Sequence, residues 1–127
     1  MNLFRTLVVN PIFIVVSDDM VWCREHIVGP DVIYAPDEAV EDTKIGRDLA
    51  LLASCSHTIL TYGTFGLWAA LLSGGLTLKA TNFALKDPEP YLTDWKQLND
   101  TWLLIDQTKE STEYLKIMEE KLRTINK

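Results

Sequence analysis

The sequence predicts an α/β domain built on a Rossmann-like parallel sheet with helices on both faces. Short apolar segments of strand length alternate along the chain with segments of helical character about ten residues long, the pattern of strand–helix–strand units. The first apolar segment, Ile-Phe-Ile-Val-Val at residues 12–16, is continuous rather than alternating, which is typical of a strand buried on both faces. With 127 residues, 47% of them hydrophobic and 24% charged, the chain suits one domain with a modest core.

The first half of the chain is predicted to supply two strands and two helices. Ser17 is expected to cap the helix after the first strand, with Asp18 and Asp19 in its first turn, where acidic residues favour the helix dipole. The later elements are the end of this helix near 27–30, a second strand at 32–35, an acidic loop at 36–43 and a helix at about 44–55 with one apolar stripe.

The second half repeats the alternation. A third strand at 57–61 leads through a Gly-Thr-Phe-Gly turn into an apolar helix at about 64–73, which Gly74 and Gly75 end. A fourth strand at 76–80, a loop with a short helix at 87–99, a fifth strand at 102–105 and a C-terminal helix at about 108–126 follow. We therefore expect a single α/β domain over 1–127, with 1–10 the remnant of a preceding helix, 11–106 the Rossmann-like core and 107–127 the C-terminal helix.

Composition and charge exclude several classes of function. The net charge is −6 and the pI about 4.8, so a nucleic-acid partner is not expected. The longest apolar run, 7–16, is interrupted by Asn10 and Pro11 and is shorter than the roughly 20 residues of a membrane span. Because no small-residue cleavage site follows it, we expect a soluble chain without a signal peptide. Cys23 and Cys55 do not form a CxxC motif, and the sequence leaves open whether they pair or are separate thiols.

The Gly63-Thr64-Phe65-Gly66 turn is the first candidate for chemistry. Ligands of such sheets bind beyond the carboxyl ends of the strands, and this turn follows a strand and begins a helix. First-turn N–H groups lack intrahelical acceptors and the helix dipole is positive there, so the turn is a candidate phosphate site. The alternative is an ordinary helix start whose glycines serve packing.

Four other residues carry weaker signals. Asp48 flanks the apolar stripe of its helix, where it either accepts hydrogen bonds from a guanine or is a solvated charge. Asp18 and Asp19 either hold Mg²⁺ or favour the helix dipole. Near a diphosphate without a metal both would repel it, so at least one serves the helix or a hydroxyl group. His57, at the start of a strand, is more typical of a structural residue than of a base.

Several segments together resemble one enzyme family. They are SDDMVWC at 17–23, DLALLASCSHTI at 48–59 and GTFGLWAA at 63–70, with Asn82-Phe83, Tyr91 and Trp95 similar to the family's C-terminal end. These segments resemble the alpha-1,2-fucosyltransferases, glycosyltransferase family 11. The resemblance implies transfer of fucose from GDP-fucose to the 2-hydroxyl of a terminal galactose on a glycan, with inversion. It also implies a GT-B fold whose C-terminal half binds the donor, no metal or other cofactor, and a Golgi membrane location.

The resemblance assigns donor-binding roles at matched positions only. It implies that Asp48 holds the guanine edge, that Thr64 and Phe65 lie at the diphosphate, and that Gly63 and Gly66 give the backbone clearance. Ser17, Asp18 and Asp19 match the family's turn after this strand, with a less defined role. No catalytic residue is assigned.

The chain also departs from the family pattern. The arginine-rich H-x-R-R motif, expected upstream of Ser17, is absent, as are the N-terminal half and the membrane anchor of animal members. We therefore expect the donor-binding half of an enzyme, a fragment with little activity alone. The alternatives are a catalytically inactive folded fragment with an exposed apolar patch, and a receiver-like module using Lys79. The receiver-like module needs an acidic residue at 61–63, where the sequence has none.

Overall fold

The computed structural model describes residues 1–36, 41–61, 63–81, 100–106 and 111–125. Helices and strands alternate over the described residues up to residue 81, as the sequence predicts. The elements are α1 (Asn2–Leu7), β1 (Phe13–Val15), α2 (Met20–His26), β2 (Val32–Tyr34), α3 (Glu41–Ala53), β3 (Thr58–Leu60), α4 (Thr64–Ser73), β4 (Thr77–Thr81), β5 (Trp102–Asp106) and α5 (Ser111–Ile125).

All the strand pairs are parallel, which confirms the prediction of a parallel α/β architecture. The strands form two small sheets, however, rather than one. β1 pairs with β2, and β3, β4 and β5 form a three-stranded sheet in that order. Within the described part of the chain, no hydrogen-bonded ladder joins the two sheets. The structure is thus compatible with a Rossmann-like fold without displaying its continuous sheet.

Helices cover both faces of the three-stranded sheet. On one face Leu60 and Trp102 pack with Leu67 and Ala70 of α4. The opposite face buries Leu76, Leu78 and Leu103 against Phe4 of α1 and against Tyr114 and Met118 of α5. This sheet therefore has the two-sided burial that the sequence predicts for parallel strands.

The β1–β2 sheet is covered less completely, and the prediction of a first strand buried on both faces was wrong. The Arg5 guanidinium of α1 lies 5.1 Å from the ring centroid of Phe13, and that of Arg24 in α2 lies 5.6 Å from the ring of Tyr34. Phe13 and Tyr34 lie on one face of this sheet, because Val15 pairs with Tyr34. The opposite face contains Ile33, whose side chain is 54% exposed. The apolar run at 12–16 thus correctly indicated a strand, but it did not indicate how completely the two faces of the sheet are covered.

An ion pair joins α1 to the start of β2. Nε and Nη2 of Arg5 donate to the two carboxylate oxygens of Asp31 at 2.7 and 2.8 Å. The hydrogen bond from Arg5 lowers the pKa of Asp31 and raises that of Arg5. Because both side chains reach the surface, solvent screens the pair and its contribution to stability is small.

Some predicted boundaries shift and some predictions lie outside the described residues. α3 begins at Glu41 rather than near 44, since nothing between these positions breaks a helix. The predicted element at 87–99 and the matches at Asn82, Phe83, Tyr91 and Trp95 lie outside the described residues, as does part of the acidic loop, 37–40. Cys23 and Cys55 are free thiols, and burial raises the pKa of Cys55.

Candidate functional site

The turn between β3 and α4 has a backbone shape that requires glycine. Gly63, the N-cap of α4, has φ 97° and ψ 161°, a conformation that costs a residue with a Cβ of the order of 1–3 kcal/mol. A Cβ added to Gly63 would meet no atom within 4 Å. Backbone conformation rather than crowding by the described residues therefore requires glycine here.

The first turn of α4 is available to an anion. Gly63 has no side chain, so no side-chain hydrogen bond caps the helix, and the first turn contains no acidic residue. Thr64 and Phe65 are both exposed. Among the described contacts, no side chain accepts from the first N–H groups of α4, which lie at the positive end of the helix dipole. Helix starts of this kind are common sites of anion binding in proteins.

Packing against the sheet fixes the position of this turn. A Cβ on Gly66 would lie 3.2 Å from the Cβ of Leu60, so Gly66 allows α4 to approach β3 closely. At the other end of the helix, the hydroxyls of Thr58 and Ser73 are 3.0 Å apart and hydrogen-bonded. Gly66 therefore serves helix–strand packing, whereas Gly63 shapes the open turn.

The apolar helix α4 is buried on one side only. Leu67, Ala69 and Ala70 are buried, but Phe65, Trp68 and Leu72 are 38%, 52% and 58% exposed. The helix is exposed in part because its apolar residues surround it and the sheet covers a single side.

The turn between β1 and α2 is closed by its own side chains. Asp19, not Ser17, is the N-cap of α2, and its Oδ1 accepts the N–H of Trp22 at 3.0 Å. Ser17 Oγ accepts the N–H of Asp19 at 3.1 Å and lies 3.4 Å from Asp18 Oδ1. The prediction that Ser17 caps this helix was therefore wrong. Asp19 thus accepts one N–H of the first turn of α2, and the two carboxylates of this turn would repel a diphosphate.

Asp48 lies near the middle of α3 and is buried, with 5% of its surface exposed. Its Oδ1 accepts hydrogen bonds from Nη2 of Arg47 at 2.6 Å and from Nε of Arg47 at 3.0 Å. Consecutive residues point to different sides of a helix, so the long arginine side chain bends back to reach its neighbour. A buried carboxylate needs such a partner, and Asp48 is not the solvated charge of the alternative interpretation.

The structure brings some of the predicted residues together and separates others. α3, which carries Asp48, packs alongside α4, whose first turn is the open one. The β1–α2 turn, with Ser17, Asp18 and Asp19, belongs to the two-stranded sheet. Among the described contacts, no hydrogen bond or ion pair joins Asp48 to either turn. The sequence analysis did not single out Arg47, although a basic residue beside a motif aspartate is a visible signal.

His57 lies at the amino end of β3, away from the open turn at its carboxyl end. Its Nδ1 accepts the N–H of Leu76 at 3.1 Å, and its ring stacks on Phe4 with centroids 5.4 Å apart. Burial lowers the pKa of His57, so the neutral ring is favoured. The structure thus places His57 in the framework, as the sequence analysis favoured.

Other kinds of site find little support in the described residues. No three His, Cys, Asp or Glu side chains among them gather as metal ligands, and no helix among them is long and apolar enough to cross a membrane. Lys79 is 3% exposed and lies between Leu60 and Leu104 in the sheet. Thr61 and Gly63 follow β3, so the described part of this turn has no acidic phosphate acceptor.

Comparison with known proteins identifies relatives of the chain. Galactoside alpha-(1,2)-fucosyltransferase 1 of Saimiri sciureus is 42% identical over 110 residues, covering 78% of this chain and 30% of the relative. Galactoside alpha-(1,2)-fucosyltransferase 2 of Gorilla gorilla gorilla is 46% identical over 95 residues, 73% of this chain and 27% of the relative. The corresponding protein of Rattus norvegicus is 43% identical over 98 residues, 76% of this chain.

These matches cover most of this chain but only part of each relative. The chain spans less than a third of the length of these relatives. No solved structure matches it. The model of glycosyl transferase family 11 matches residues 1–106, which include β1, α2, β3 and the open turn of α4. This match and the identity to the fucosyltransferases confirm the resemblance that the motifs indicated: the chain belongs to glycosyl transferase family 11.

Proposed function

We propose that this chain binds the GDP part of GDP-fucose and is the donor-binding portion of a galactoside 2-alpha-L-fucosyltransferase. The names of its relatives support the reaction class. The observation that carries the proposal is the start of α4, which has a glycine cap, no side-chain hydrogen bond and no acidic residue in its first turn. A nucleotide diphosphate is an anion of the kind that such a helix start binds.

Each part of the donor has a proposed partner in this chain. Asp48 accepts hydrogen bonds from the N–H edge of guanine, since its Oδ2 has no hydrogen bond among the described contacts. The N–H groups at the start of α4 and the Thr64 hydroxyl bind the diphosphate. Ser17 and Asp18, at the end of β1, are suited to a ribose hydroxyl. Asp19 is the helix cap of α2 and has no part in binding.

The proposed reaction uses the diphosphate site for the leaving group. The 2-hydroxyl oxygen of galactose attacks C1 of fucose, and the bond from C1 to the β-phosphate oxygen breaks with its electron pair leaving on GDP. The configuration at C1 inverts and the hydroxyl proton passes to a base. Negative charge grows on the β-phosphate as this bond breaks, so N–H donors that are already oriented there lower the barrier. The GT-B architecture and the acceptor-binding half belong to this proposal, as does a Golgi location.

Calorimetry with GDP and a Thr64→Asp variant tests the phosphate site. An aspartate in the first turn favours the helix dipole, so we expect the midpoint of thermal unfolding to be unchanged or slightly higher. The same carboxylate repels the diphosphate, and GDP affinity should fall by at least about tenfold, the equivalent of roughly 1.4 kcal/mol.

Val21→Asp is the matched control, because it adds the same charge to the first turn of α2 at an exposed residue. It should leave GDP affinity within about twofold of that of the unmodified chain. An equal loss in both variants, or none in Thr64→Asp, contradicts the placement of the diphosphate.

In the same titration, equal heats for Asp48→Ala and the unmodified chain would remove Asp48 from the guanine site.

A further inference from the structure

Among the described contacts, the Arg47–Asp48 pair leaves one guanidinium nitrogen and one carboxylate oxygen without a hydrogen bond. Both described hydrogen bonds from Arg47 end on the same oxygen, Oδ1, at 2.6 and 3.0 Å from Nη2 and Nε. Nη1 of Arg47 and Oδ2 of Asp48 therefore make no hydrogen bond among the described contacts. The Asp48 side chain is 7% exposed and that of Arg47 is 30% exposed, so the pair extends from the interior of α3 to its surface.

The unused atoms match the edge of one nucleobase. Guanine presents O6, which accepts hydrogen bonds, next to N1–H, which donates one, with the 2-amino group beyond. Arginine is a common donor to guanine O6, and a carboxylate accepts from N–H groups. Adenine reverses this order, because it has an amino group in place of O6 and an unprotonated N1. A guanidinium beside a carboxylate is thus complementary to guanine and mismatched to adenine.

We propose that Arg47 determines base specificity in this chain by donating from Nη1 to guanine O6 while it holds Asp48 through its other edge. The inference rests on the proposed function, since it requires a guanine nucleotide at Asp48. It assigns Arg47 a role distinct from charge neutralisation at the diphosphate. The existing pair already orients both groups, so guanine binds without first breaking a buried ion pair.

Three nucleotides separate this role from its alternatives. GDP and inosine diphosphate both carry O6 and N1–H, and inosine diphosphate lacks only the 2-amino group. ADP carries the same diphosphate on a base without O6. An effect of Arg47 on O6 therefore changes the affinities for GDP and inosine diphosphate together, and its loss does not weaken the binding of ADP.

Calorimetry on Arg47→Met and Arg47→Lys tests the proposal, with thermal unfolding measured for each variant. We expect Arg47→Met to bind GDP and inosine diphosphate about tenfold more weakly, the usual loss for one hydrogen bond from a charged donor, with no loss of ADP affinity. Arg47→Lys keeps the charge beside Asp48 and remains informative if Arg47→Met does not fold. Its ammonium lacks the second edge of the guanidinium, so it should also lose the preference for GDP over ADP.

Arg123→Met removes the same charge from an 80% exposed side chain on α5 and should bind all three nucleotides like the unmodified chain. An equal loss for GDP and ADP in Arg47→Met would assign the arginine to the phosphates and overturn the inference. Unchanged GDP affinity, or full retention of base preference in Arg47→Lys, would overturn it as well. Absence of GDP binding by the unmodified chain would instead refute the proposed function, on which the inference depends.

Discussion

The turns after β1 and β3 each lead from a parallel strand into a helix, but they satisfy the helix start in opposite ways. After β1, the carboxylate of Asp19 accepts the Trp22 N–H, and the Ser17 hydroxyl accepts the N–H of Asp19. After β3, Gly63 caps α4 with no side-chain hydrogen bond. One helix start therefore has a side-chain acceptor for an N–H of its first turn, and the other has none among the described contacts, so its donors and positive potential remain available.

The comparison shows that position at the carboxyl end of a strand does not by itself identify a phosphate site. Both turns meet that criterion, and both lie within the residues that the family model matches. They differ in whether a side chain of the protein accepts a hydrogen bond from the first N–H groups of the helix. Under the proposed function, the carboxylate of Asp19 repels a phosphate from α2, whereas a glycine with φ 97° caps α4 without adding a negative charge.

Gly75→Ala should cause the largest loss of stability. Gly75 lies between α4 and β4, at the end of the β3–α4–β4 unit opposite the turn that Gly63 shapes. A Cβ on Gly75 would lie 1.7 Å from the carbonyl oxygen of Ser56, a backbone atom that cannot move without moving β3. We expect a loss of about 3 kcal/mol in the free energy of unfolding, the upper range for overpacking, and a melting temperature about 10 °C lower. Thermal unfolding followed by circular dichroism measures it.

Gly29→Ala is the matched change in the less covered half of the molecule. The nearest atoms to its added Cβ are Asp31 Oδ1 at 2.7 Å and Arg5 Nη2 at 3.0 Å, the ends of side chains that can shift. Its melting temperature should stay within about 2 °C of the unmodified chain. Equal losses in the two variants would mean that both halves tolerate crowding alike.

Asp19→Ala should have an intermediate effect, limited to stability. Loss of an aspartate N-cap costs about 1 kcal/mol, so the melting temperature should fall by about 3–5 °C. GDP affinity should remain within about twofold, because the carboxylate serves α2 and not the donor. Asp19→Asn, which still caps, should recover most of the stability. A stable Asp19→Ala variant that loses GDP would reverse the roles of the two turns.

The smallest expected effect is a pH dependence of the stability that arises from His57, at the amino end of β3. Burial lowers its pKa from the ordinary 6.5, so below that pH the unfolded chain takes up a proton that the folded chain does not. Stability therefore falls as the pH drops from 6.5 toward the lowered pKa, and levels off below it. In His57→Asn, the amide oxygen replaces Nδ1 as acceptor for Leu76. Its melting temperature should fall less between pH 7 and 5.5 than that of the unmodified chain.

His26→Asn is the matched change at an exposed histidine, whose Nδ1 lies 2.9 Å from the carbonyl oxygen of Trp22 and whose ring stacks on the Trp22 ring with centroids 4.5 Å apart. The melting temperature of His57→Asn should depend less on pH than that of His26→Asn. Parallel curves for His57→Asn and the unmodified chain would show that His57 does not contribute to the pH dependence.

The order and type of the elements were predictable because apolar runs, helical periodicity and glycine stops are local signals. β3, α4 and the turn between them lie where the sequence predicts them. The choice of Asp19 over Ser17 as the cap was not predictable, since both are good caps and the local backbone decides between them. Ile33 and Trp68 are exposed although their segments are apolar, because the exposure depends on which neighbours pack on each face.

The candidate site was predictable in its positions and not in its contacts. Asp48 and Gly63 were visible in the motifs, and the motif also implied that Gly66 gives clearance to a ligand. Its contact with Leu60 is a tertiary feature with no local signal. The bond from Arg47 to Asp48 likewise depends on how a long side chain folds back, which spacing along a helix does not specify.

The uncapped start of α4 also has a consequence for hydrogen exchange. An amide without an acceptor exchanges its hydrogen with the solvent readily, even where the surrounding helix is stable. The first amides of α4 therefore have little protection in the free protein, whereas the Trp22 amide, held by Asp19, has more. An anion bound at the start of α4 should slow hydrogen exchange at those few amides and leave the exchange rates of α2 unchanged. The binding site would then be visible in the exchange rates of individual backbone amides.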